Sequence, residues 1–255
     1  MTIDLKLQGG GFMKREYLEA IHPLLKSLRQ YHQHTVVGMQ HIPDSGRVLV
    51  AVNHSLATYD IALLNTAIYE EKGRIARSLA DRWFFKFPWL ADFTQQFGAV
   101  EGNQKNAEAL LAAEEMVTVA PGGMREALRS SSERYQILWE KRNGFIKLAI
   151  RTGTPIVIAA CPKADDLFEV YQNPITKWAY KNFKIPLALA RGLGLTPIPR
   201  PVKLTHFLSQ PLYPPKLSED PKEFALQVAQ FHKKVIKHAR LLIGEAIAYR
   251  GRGDH

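Results

Sequence analysis

The sequence predicts an α/β fold in which helices cover a largely parallel sheet. Short apolar runs of strand length alternate along the chain with segments of helical period, and this alternation is typical of βαβ units. The length of 255 residues suits one domain with a sizeable core. The composition, 46% hydrophobic and 23% charged, is that of a folded globular protein.

The first element is a helix predicted over Phe12–Tyr31, where apolar residues recur with helical spacing and form one broad face. Pro23 lacks an N–H donor, so we expect it to weaken or divide this helix. An amphipathic helix of this kind either packs on the domain core or lies in a membrane interface, and the sequence favours neither alternative. We therefore treat residues 1–34 as an N-terminal amphipathic helical segment and residues 35–255 as the domain itself.

Strands and helices alternate through the rest of the chain. The predicted strands are Thr35–Met39, Arg47–Val52, Ile75–Leu79, Met116–Ala120, Pro155–Cys161 and Val202–Phe207. The predicted helices are Ile61–Glu71, Gln104–Glu115, Ile137–Thr152 and a last one from Pro221 to about Tyr249. Asn103 and Asp220 are suited to N-capping, and Gly153 to a C-cap. Leu167–Arg191 has no clear pattern.

The charge balance indicates anionic partners. The net charge is +10 and the isoelectric point is near 9.6, which suits lipid headgroups or phosphorylated cosubstrates, although a basic surface can also serve solubility alone. The sequence has no zinc-finger spacing and no RNA-binding signature, so we do not expect nucleic acid as a partner. A single cysteine, Cys161, excludes an intramolecular disulfide and a cysteine-based metal site.

Two observations bear on the membrane. No apolar run approaches the roughly 18 residues that a membrane span needs, and the start of the chain lacks the features of a signal peptide. We therefore expect a cytoplasmic protein without a transmembrane span. The segment Asp81–Phe97 is rich in aromatic residues, which suits an aromatic core, the wall of an acyl-chain site or an element that enters lipid.

The first chemical motif is Asn53–Asp60, which follows an apolar strand directly. A histidine within reach of a hydroxyl can remove its proton, which typically raises the rate by about 10²- to 10⁴-fold. A carboxylate on the other ring nitrogen fixes the tautomer and stabilises the imidazolium. We expect His54 and Asp60 to meet across the connecting turn as base and orienting acid. The alternative is a loop histidine and a carboxylate that caps a helix.

The second motif is the turn Pro121–Leu128, which follows another apolar strand. Glycines let the backbone approach a ligand closely, so the N–H groups of Gly122 and Gly123 are candidates for holding an oxyanion, as is the side chain of Asn53. The guanidinium of Arg125 suits a phosphate or carboxylate of the acceptor. The alternative for this arginine is an ion pair with Glu126 or another internal acid.

Six segments, in order, resemble the sequence blocks of the lysophospholipid acyltransferase superfamily, and more closely those of its monoacylglycerol/diacylglycerol acyltransferase-like branch. They are Val37–Pro43, Asn53–Asp60, Gly98–Asn103, Pro121–Leu128 with Trp139–Phe145, Pro155–Val157 and Pro199–Leu204. The resemblance covers most of the chain and implies a single glycerolipid-acyltransferase-like domain with His54 as general base. Within these blocks we add four candidates for the substrate pocket, which are Ser55, Glu101, Asn103 and Glu126.

Departures from the phospholipid-making members indicate a neutral acceptor. Five residues separate His54 from Asp60, where those members usually have four. Gly122 follows the proline where they have a glutamate, and the second block has Glu101 but no arginine for an acceptor phosphate. We therefore expect an O-acyltransferase acting on mono- or diacylglycerol or a long-chain alcohol. A lysophospholipid acceptor such as 1-acylglycerol-3-phosphate is the alternative, and a non-catalytic lipid-binding relative is another.

The resemblance also implies the partners of the reaction. The donor is a long-chain acyl thioester, either acyl-CoA or acyl-ACP, and no further cofactor or metal is expected. Because members of this superfamily are usually membrane-bound, we expect peripheral association with a membrane or lipid droplet surface, through Phe12–Tyr31 and the aromatic segment Trp83–Trp89.

Overall fold

The computed structural model describes residues 15–56, 59–96, 98–140, 142–171, 178, 182 and 189–249. Their architecture is α/β, with a mostly parallel sheet between helices, as the sequence predicts. The strands are β1 (Thr35–Val37), β2 (Val48–Val52), β3 (Ala76–Ala80), β4 (Ala99–Glu101), β5 (Met116–Val119), β6 (Ile156–Ala160), β7 (Glu169–Tyr171), β8 (Leu189–Arg191) and β9 (Thr205–Leu208). The helices are α1 (Arg15–Tyr31), α2 (Tyr59–Lys72), α3 (Pro88–Gln96), α4 (Gln104–Ala112), α5 (Gly123–Ala127), α6 (Gly144–Thr152) and α7 (Pro221–Ala248).

Seven strands form the main sheet in the order β1-β9-β6-β2-β5-β3-β4. The five strands from β6 to β4 are parallel, whereas β9 pairs with β6 in antiparallel register. Because β1 is parallel to β9, both of these strands run against the other five. The beginnings of β1 and β9 therefore lie at the same edge of the sheet as the carboxyl ends of β2, β5 and β6.

The sheet is buried on both faces. The side chains of β2 are all buried and alternate between the two faces, with Leu49 and Ala51 in one apolar cluster and Val48, Val50 and Val52 in the other. The first cluster includes residues of α4, α6 and α7, and the second includes residues of α2. Continuous apolar strands of this kind are typical of parallel sheets covered on both sides.

Most element predictions agree with the structure. The side chain of Asn103 accepts a hydrogen bond from the Asn106 N–H at 2.8 Å, and Asp220 accepts one from Lys222 N–H at 3.0 Å, so both act as N-caps. Gly153 ends α6 with φ of 61°. The helix α1 continues through Pro23, which therefore does not divide it, and the predicted helical residues 12–14 lie outside the described part of the chain.

One element prediction is wrong, and further elements, among them α3 and β4, were not predicted. The helix predicted from Ile137 begins only at Gly144, because Glu126 accepts hydrogen bonds from the Leu138 N–H and the Trp139 indole and holds that stretch against the core. The short strand β4 was not predicted, since three residues give too little pattern. Among the described helices, none combines the length and the apolar composition that crossing a membrane requires.

Candidate active site

The candidate site lies at the edge of the sheet where the carboxyl ends of the parallel strands meet. β2 leads into Asn53 and His54, β5 leads into the Pro121–Gly122 turn, and β6 leads into Cys161. In open α/β sheets this edge is where ligands bind. The topology therefore brings the two motifs of the sequence together, although about 70 residues separate them along the chain.

The imidazole of His54 is held as a neutral base. Its Nδ1 lies 2.6 Å from the carbonyl oxygen of Ser55, and because a carbonyl only accepts, Nδ1 carries the proton. The lone pair is then on Nε2, which has no hydrogen-bond partner among the described residues. Burial lowers the pKa of His54, against the opposing effects of the Ser55 carbonyl and Asp60. His54 is therefore ready to accept a proton at Nε2.

Asp60 lies beside His54 without bonding to its ring. The Ser55 hydroxyl donates to Oδ1 of Asp60, and Oδ2 lies 3.7 Å from Nε2 of His206. The predicted direct bond between the carboxylate and the His54 ring is therefore absent, because the Ser55 carbonyl occupies Nδ1 and the Ser55 hydroxyl occupies the carboxylate. Burial acts to raise the pKa of Asp60, but the nearby His206, the hydrogen bond from the Ser55 hydroxyl and the nearby His54 hold it below its ordinary value. Asp60 thus places a negative charge near the imidazole.

Glu126 organises the backbone of the site. Its carboxylate accepts hydrogen bonds from the His54 N–H at 3.1 Å, the Trp139 indole N–H at 3.1 Å and the Leu138 N–H at 3.2 Å, and it lies 3.5 Å from the Arg129 guanidinium. Its side chain is fully buried. Burial raises its pKa to about 7, against the effect of Arg129. These contacts give Glu126 a structural role, and its placement in the substrate pocket stays a prediction.

The glycine turn offers fewer oxyanion donors than predicted. The Gly123 N–H donates to the Ala120 carbonyl at 3.0 Å, so it is used within the turn. The Gly122 N–H is not bonded to any described residue, and a Cβ at Gly122 would overlap the Glu126 side chain. Asn53 is held by its Oδ1, which accepts from the Cys161 N–H at 2.8 Å, while its buried Nδ2 lacks a partner in the described structure. Gly122 and Asn53 therefore remain the candidate donors.

Arg125 is exposed and forms no ion pair with any described residue. The alternative of an ion pair with Glu126 is wrong, since Arg129 occupies that position and also binds Asp165. Glu101, at the end of β4, lies 4.0 Å from Arg82, and Asn103 serves as the cap of α4. By strand order β4 is three strands from β2, or roughly 14 Å away, so Glu101 and Asn103 lie at the margin of the site.

Four residues that organise the site were missed by the sequence analysis. All four are buried: His34, Arg129, Trp139 and His206. Trp139 and Arg129 contact Glu126, and His34 is hydrogen-bonded to His206, which lies beside Asp60. His206 lies between Thr205 and Phe207 in the short strand β9, and a polar residue at a buried strand position is unusual, which was a weak signal. The position of His34 depends on the reversed direction of β1, which no local pattern reveals.

The fold and the site define an α/β protein with a buried histidine, His54, at the carboxyl edge of its sheet. The chain belongs to the diacylglycerol acyltransferase family, whose model matches residues 55–245. The match begins immediately after His54 and includes Asp60, the glycine turn, β9 and most of α7. The predicted relationship to this acyltransferase superfamily is therefore confirmed.

Curated relatives carry related names. The chain is 31% identical over 217 residues to the mouse "DGAT1/2-independent enzyme synthesizing storage lipids", which covers 83% of this chain and 62% of the relative. The cattle protein of the same name is 31% identical over 192 residues, 74% of this chain and 55% of the relative. Phytyl ester synthase 1 of Arabidopsis thaliana is 30% identical over 141 residues, 53% of this chain and 20% of the relative. The chain thus spans about 55 to 63% of the length of the storage-lipid enzymes.

The chain is also similar to solved structures, of which a bacterial acyltransferase is an example. It is the 1-acyl-sn-glycerophosphate acyltransferase PlsC of Thermotoga maritima, with a TM-score of 0.48 and 17% sequence identity, and it covers 89% of this chain and 84% of that one.

Proposed function

We propose that this protein transfers an acyl group from a thioester to the hydroxyl of a neutral lipid, with His54 as general base. The observation that carries the proposal is the state of the His54 ring. Its Nδ1–H is fixed on the Ser55 carbonyl, so Nε2 is the free base, and the carboxylate of Asp60 lies close by. No serine or cysteine nucleophile is needed, because the acceptor hydroxyl itself attacks the thioester.

The proposed reaction proceeds in two stages. Nε2 of His54 takes the hydroxyl proton as the acceptor oxygen forms a bond to the thioester carbonyl, and the charge of Asp60 stabilises the resulting imidazolium. The Gly122 N–H and the Asn53 amide are the candidate donors to the oxyanion. When the intermediate collapses, the C–S bond breaks, and the imidazolium returns its proton to the leaving thiolate. The products are an ester and a free thiol.

The choice of a neutral acceptor follows from the charge at the margin of the site. The partly buried Glu101 lies at the end of β4, and an acid there disfavours a phosphate on the acceptor. The relatives named for storage lipids and for phytyl esters support the same choice. A lysophospholipid acceptor is the second candidate, because Arg125 is exposed and has no ion pair within the described part of the chain, which suits it to a phosphate.

We take the donor to be acyl-CoA or acyl-ACP, since the net charge of +10 suits either of these anionic carriers. The chemistry described above needs no further cofactor. Because the proposed acceptor is a neutral lipid, the protein has to reach a lipid surface.

Aromatic side chains next to the site are suited to that surface. The stretch that follows the carboxyl end of β3 continues into the first turn of α3, and it exposes 47% of Phe87 and 70% of Trp89. Exposed tryptophan and phenylalanine favour the membrane interface. On α1, Leu24 is 62% exposed and adds a further apolar position. We infer peripheral attachment that places the carboxyl edge of the sheet against lipid.

Product analysis tests the proposed activity. Labelled palmitoyl-CoA is offered with diacylglycerol, a long-chain alcohol or lysophosphatidate in separate vesicles, and the products of the wild type and of His54→Gln are separated by thin-layer chromatography. We expect a His54-dependent neutral ester. Phosphatidate alone would replace the neutral acceptor with a lysophospholipid. Lipid binding without any product, also with an acyl-ACP donor, would identify a non-catalytic lipid-binding relative.

Vesicle flotation tests the attachment. Trp89→Ala should reduce the fraction of protein bound to vesicles several-fold, because it removes a large interfacial side chain. Tyr213→Ala is the matched control: Tyr213 is also 70% exposed but lies near the start of β6, at the opposite edge of the sheet. Equal binding by both variants and the wild type would contradict this orientation.

A further inference from the structure

A line of four polar side chains connects the surface helix α1 with Asp60. Nε of Arg29 lies 3.1 Å from Nδ1 of His34, and Nε2 of His34 lies 2.8 Å from Nδ1 of His206. Nε2 of His206 then lies 3.7 Å from Oδ2 of Asp60. The last three residues of this line are buried. The reversed direction of β1 and β9 brings both histidines to the edge of the sheet where the site lies.

The donors along this line all point toward Asp60. An arginine only donates, so Nδ1 of His34 must accept and its proton is on Nε2. Burial, followed by the charges of His206 and Arg29, lowers the pKa of His34 to about 2, which agrees with a neutral ring. Nε2–H of His34 therefore donates to Nδ1 of His206. Because Nδ1 of His206 accepts this bond, its Nε2 carries a proton that faces the carboxylate.

Oδ2 of Asp60 needs this donor. It is a buried carboxylate oxygen, and it forms no hydrogen bond within the described structure at the present distance. Hydrogen bonds in the unliganded state of a catalytic site are often long and tighten in the complex. A short movement of the His206 ring would complete the bond when His54 becomes charged. The other oxygen, Oδ1, already holds the Ser55 hydroxyl.

We propose that His206 is a positioning residue for Asp60, with its tautomer set by His34 and Arg29, and that its Nε2–H holds the carboxylate in place beside His54 during acyl transfer. The proposal rests on the proposed function. It assigns His206 no contact with substrate. Its role is to keep the charged form and the orientation of the group that supports the base.

Other charged or titratable groups face this line from the neighbouring elements. Asp60 interacts with His54, with Cys161 after β6 and with Asp165 in the turn that follows it, and Arg129 acts on His54. His32, at the end of α1, acts on His34. None of these groups donates a hydrogen bond to Oδ2 of Asp60. His206 is therefore the group whose removal we expect to affect that oxygen.

Two substitutions separate positioning from packing. His206→Gln keeps an amide N–H that can replace Nε2–H, whereas His206→Leu keeps the bulk and removes the donor. His41→Leu is the matched control. Nδ1 of His41 lies 3.0 Å from the carbonyl oxygen of Leu208, which belongs to β9 as His206 does, and His41 has no hydrogen bond to a described residue of the site. Activity is measured with palmitoyl-CoA and diacylglycerol vesicles as a function of pH.

We expect His206→Leu to lower kcat by about 10- to 100-fold with little change in KM, since a hydrogen bond to a charged group is lost. Without the donor the carboxylate of Asp60 is held less firmly and stabilises the His54 imidazolium less, so the acid limb of the kcat profile, which His54 sets, moves to lower pH by about one unit. His206→Gln and His41→Leu should keep the wild-type acid limb. An unchanged limb and kcat in His206→Leu, or equal loss in His206→Gln and His206→Leu, would overturn the proposal.

A spectroscopic readout does not depend on turnover. In protein labelled with ¹⁵N-histidine, the ring signals of His34 and His206 at pH 7 should both show a proton on Nε2 and a bare Nδ1. A proton on Nδ1 of His206 would overturn the proposal, whether or not His206→Leu folds. If the wild type acylates no lipid while these tautomers are found, the proposed function fails and the hydrogen-bond line stands.

Discussion

Asp60 and Glu126 are both buried, and both carboxylates accept a hydrogen bond from the stretch His54–Ser55. They differ in their other hydrogen-bond partners and in the direction of their pKa shifts. Among the described residues, Asp60 accepts a hydrogen bond only from the Ser55 hydroxyl, its Oδ2 has no hydrogen-bond partner, and its pKa is lowered. Glu126 accepts three N–H donors, lies near Arg129, and has a pKa raised to about 7. The comparison teaches that burial alone does not assign a role, because the donors around each group decide it.

The difference divides the work of the site. Asp60 keeps a charge close to the His54 ring, where an imidazolium would form. Glu126 accepts hydrogen bonds from the backbone N–H groups of His54 and Leu138, so it fixes the position of the His54 backbone relative to the stretch before α6. Loss of Asp60 should therefore affect rate, and loss of Glu126 should affect stability.

The largest expected effect is that of Asp60→Asn. The neutral amide cannot stabilise the imidazolium, so kcat should fall by about 10³- to 10⁴-fold. The free energy of unfolding should change little, because the amide oxygen can still accept from Ser55. Steady-state kinetics and urea unfolding measure the two quantities. Asp44→Asn, at an exposed ion pair with Lys72, is the control. An Asp60→Asn enzyme within tenfold of wild-type kcat would remove Asp60 from the proposed mechanism.

Glu126 should make stability fall as the pH rises. Its pKa is about 7 in the folded protein and near the ordinary 4.5 when unfolded, so between these values the folded state binds more protons. The unfolding free energy of the wild type, relative to Glu126→Gln, should therefore decrease by about 3 kcal/mol from pH 4.5 to above pH 7. Urea unfolding at several pH values measures it. The buried histidines titrate in both proteins and cancel. A parallel pH dependence of the two proteins would contradict the raised pKa.

Gly122→Ala tests the close packing of the glycine turn against the Glu126 side chain. The new methyl group would overlap the Glu126 side chain, so we expect a loss of about 1 to 3 kcal/mol in the unfolding free energy. Gly244→Ala, on α7 with open space at its Cβ position, should be neutral or stabilising and is the control. Equal stability of Gly122→Ala and wild type would show that the turn is not packed in this way.

The smallest effect on stability is expected for Arg125→Ala, within about 0.5 kcal/mol of wild type, because the side chain is exposed and unpaired in the described structure. If Arg125 binds a phosphate, KM for the phosphate-bearing substrate should rise about tenfold. Thermal unfolding and kinetics with palmitoyl-CoA check both points. An unchanged KM for every substrate would leave Arg125 without a role in binding.

The predictable part of this protein is local. Strands, caps and the two motifs follow from short patterns, as the caps Asn103 and Gly153 show. The role of Glu126 was not predictable, because its donors come from His54 and from Trp139, which lie 72 and 13 residues away. His34 and His206 reach the site only because β1 and β9 run against the other strands. The direction of these two strands depends on how all strands of the sheet pair, which no local sequence pattern records.

The most direct test of the central claim is a competition between acceptors. Diacylglycerol and lysophosphatidate are offered at equal concentration in the same vesicles with labelled palmitoyl-CoA, and the ratio of triacylglycerol to phosphatidate is measured. This ratio does not depend on the fraction of active protein. We expect triacylglycerol to dominate, and both products to disappear with His54→Gln. Phosphatidate as the main product, or a neutral ester that persists without His54, would contradict the account.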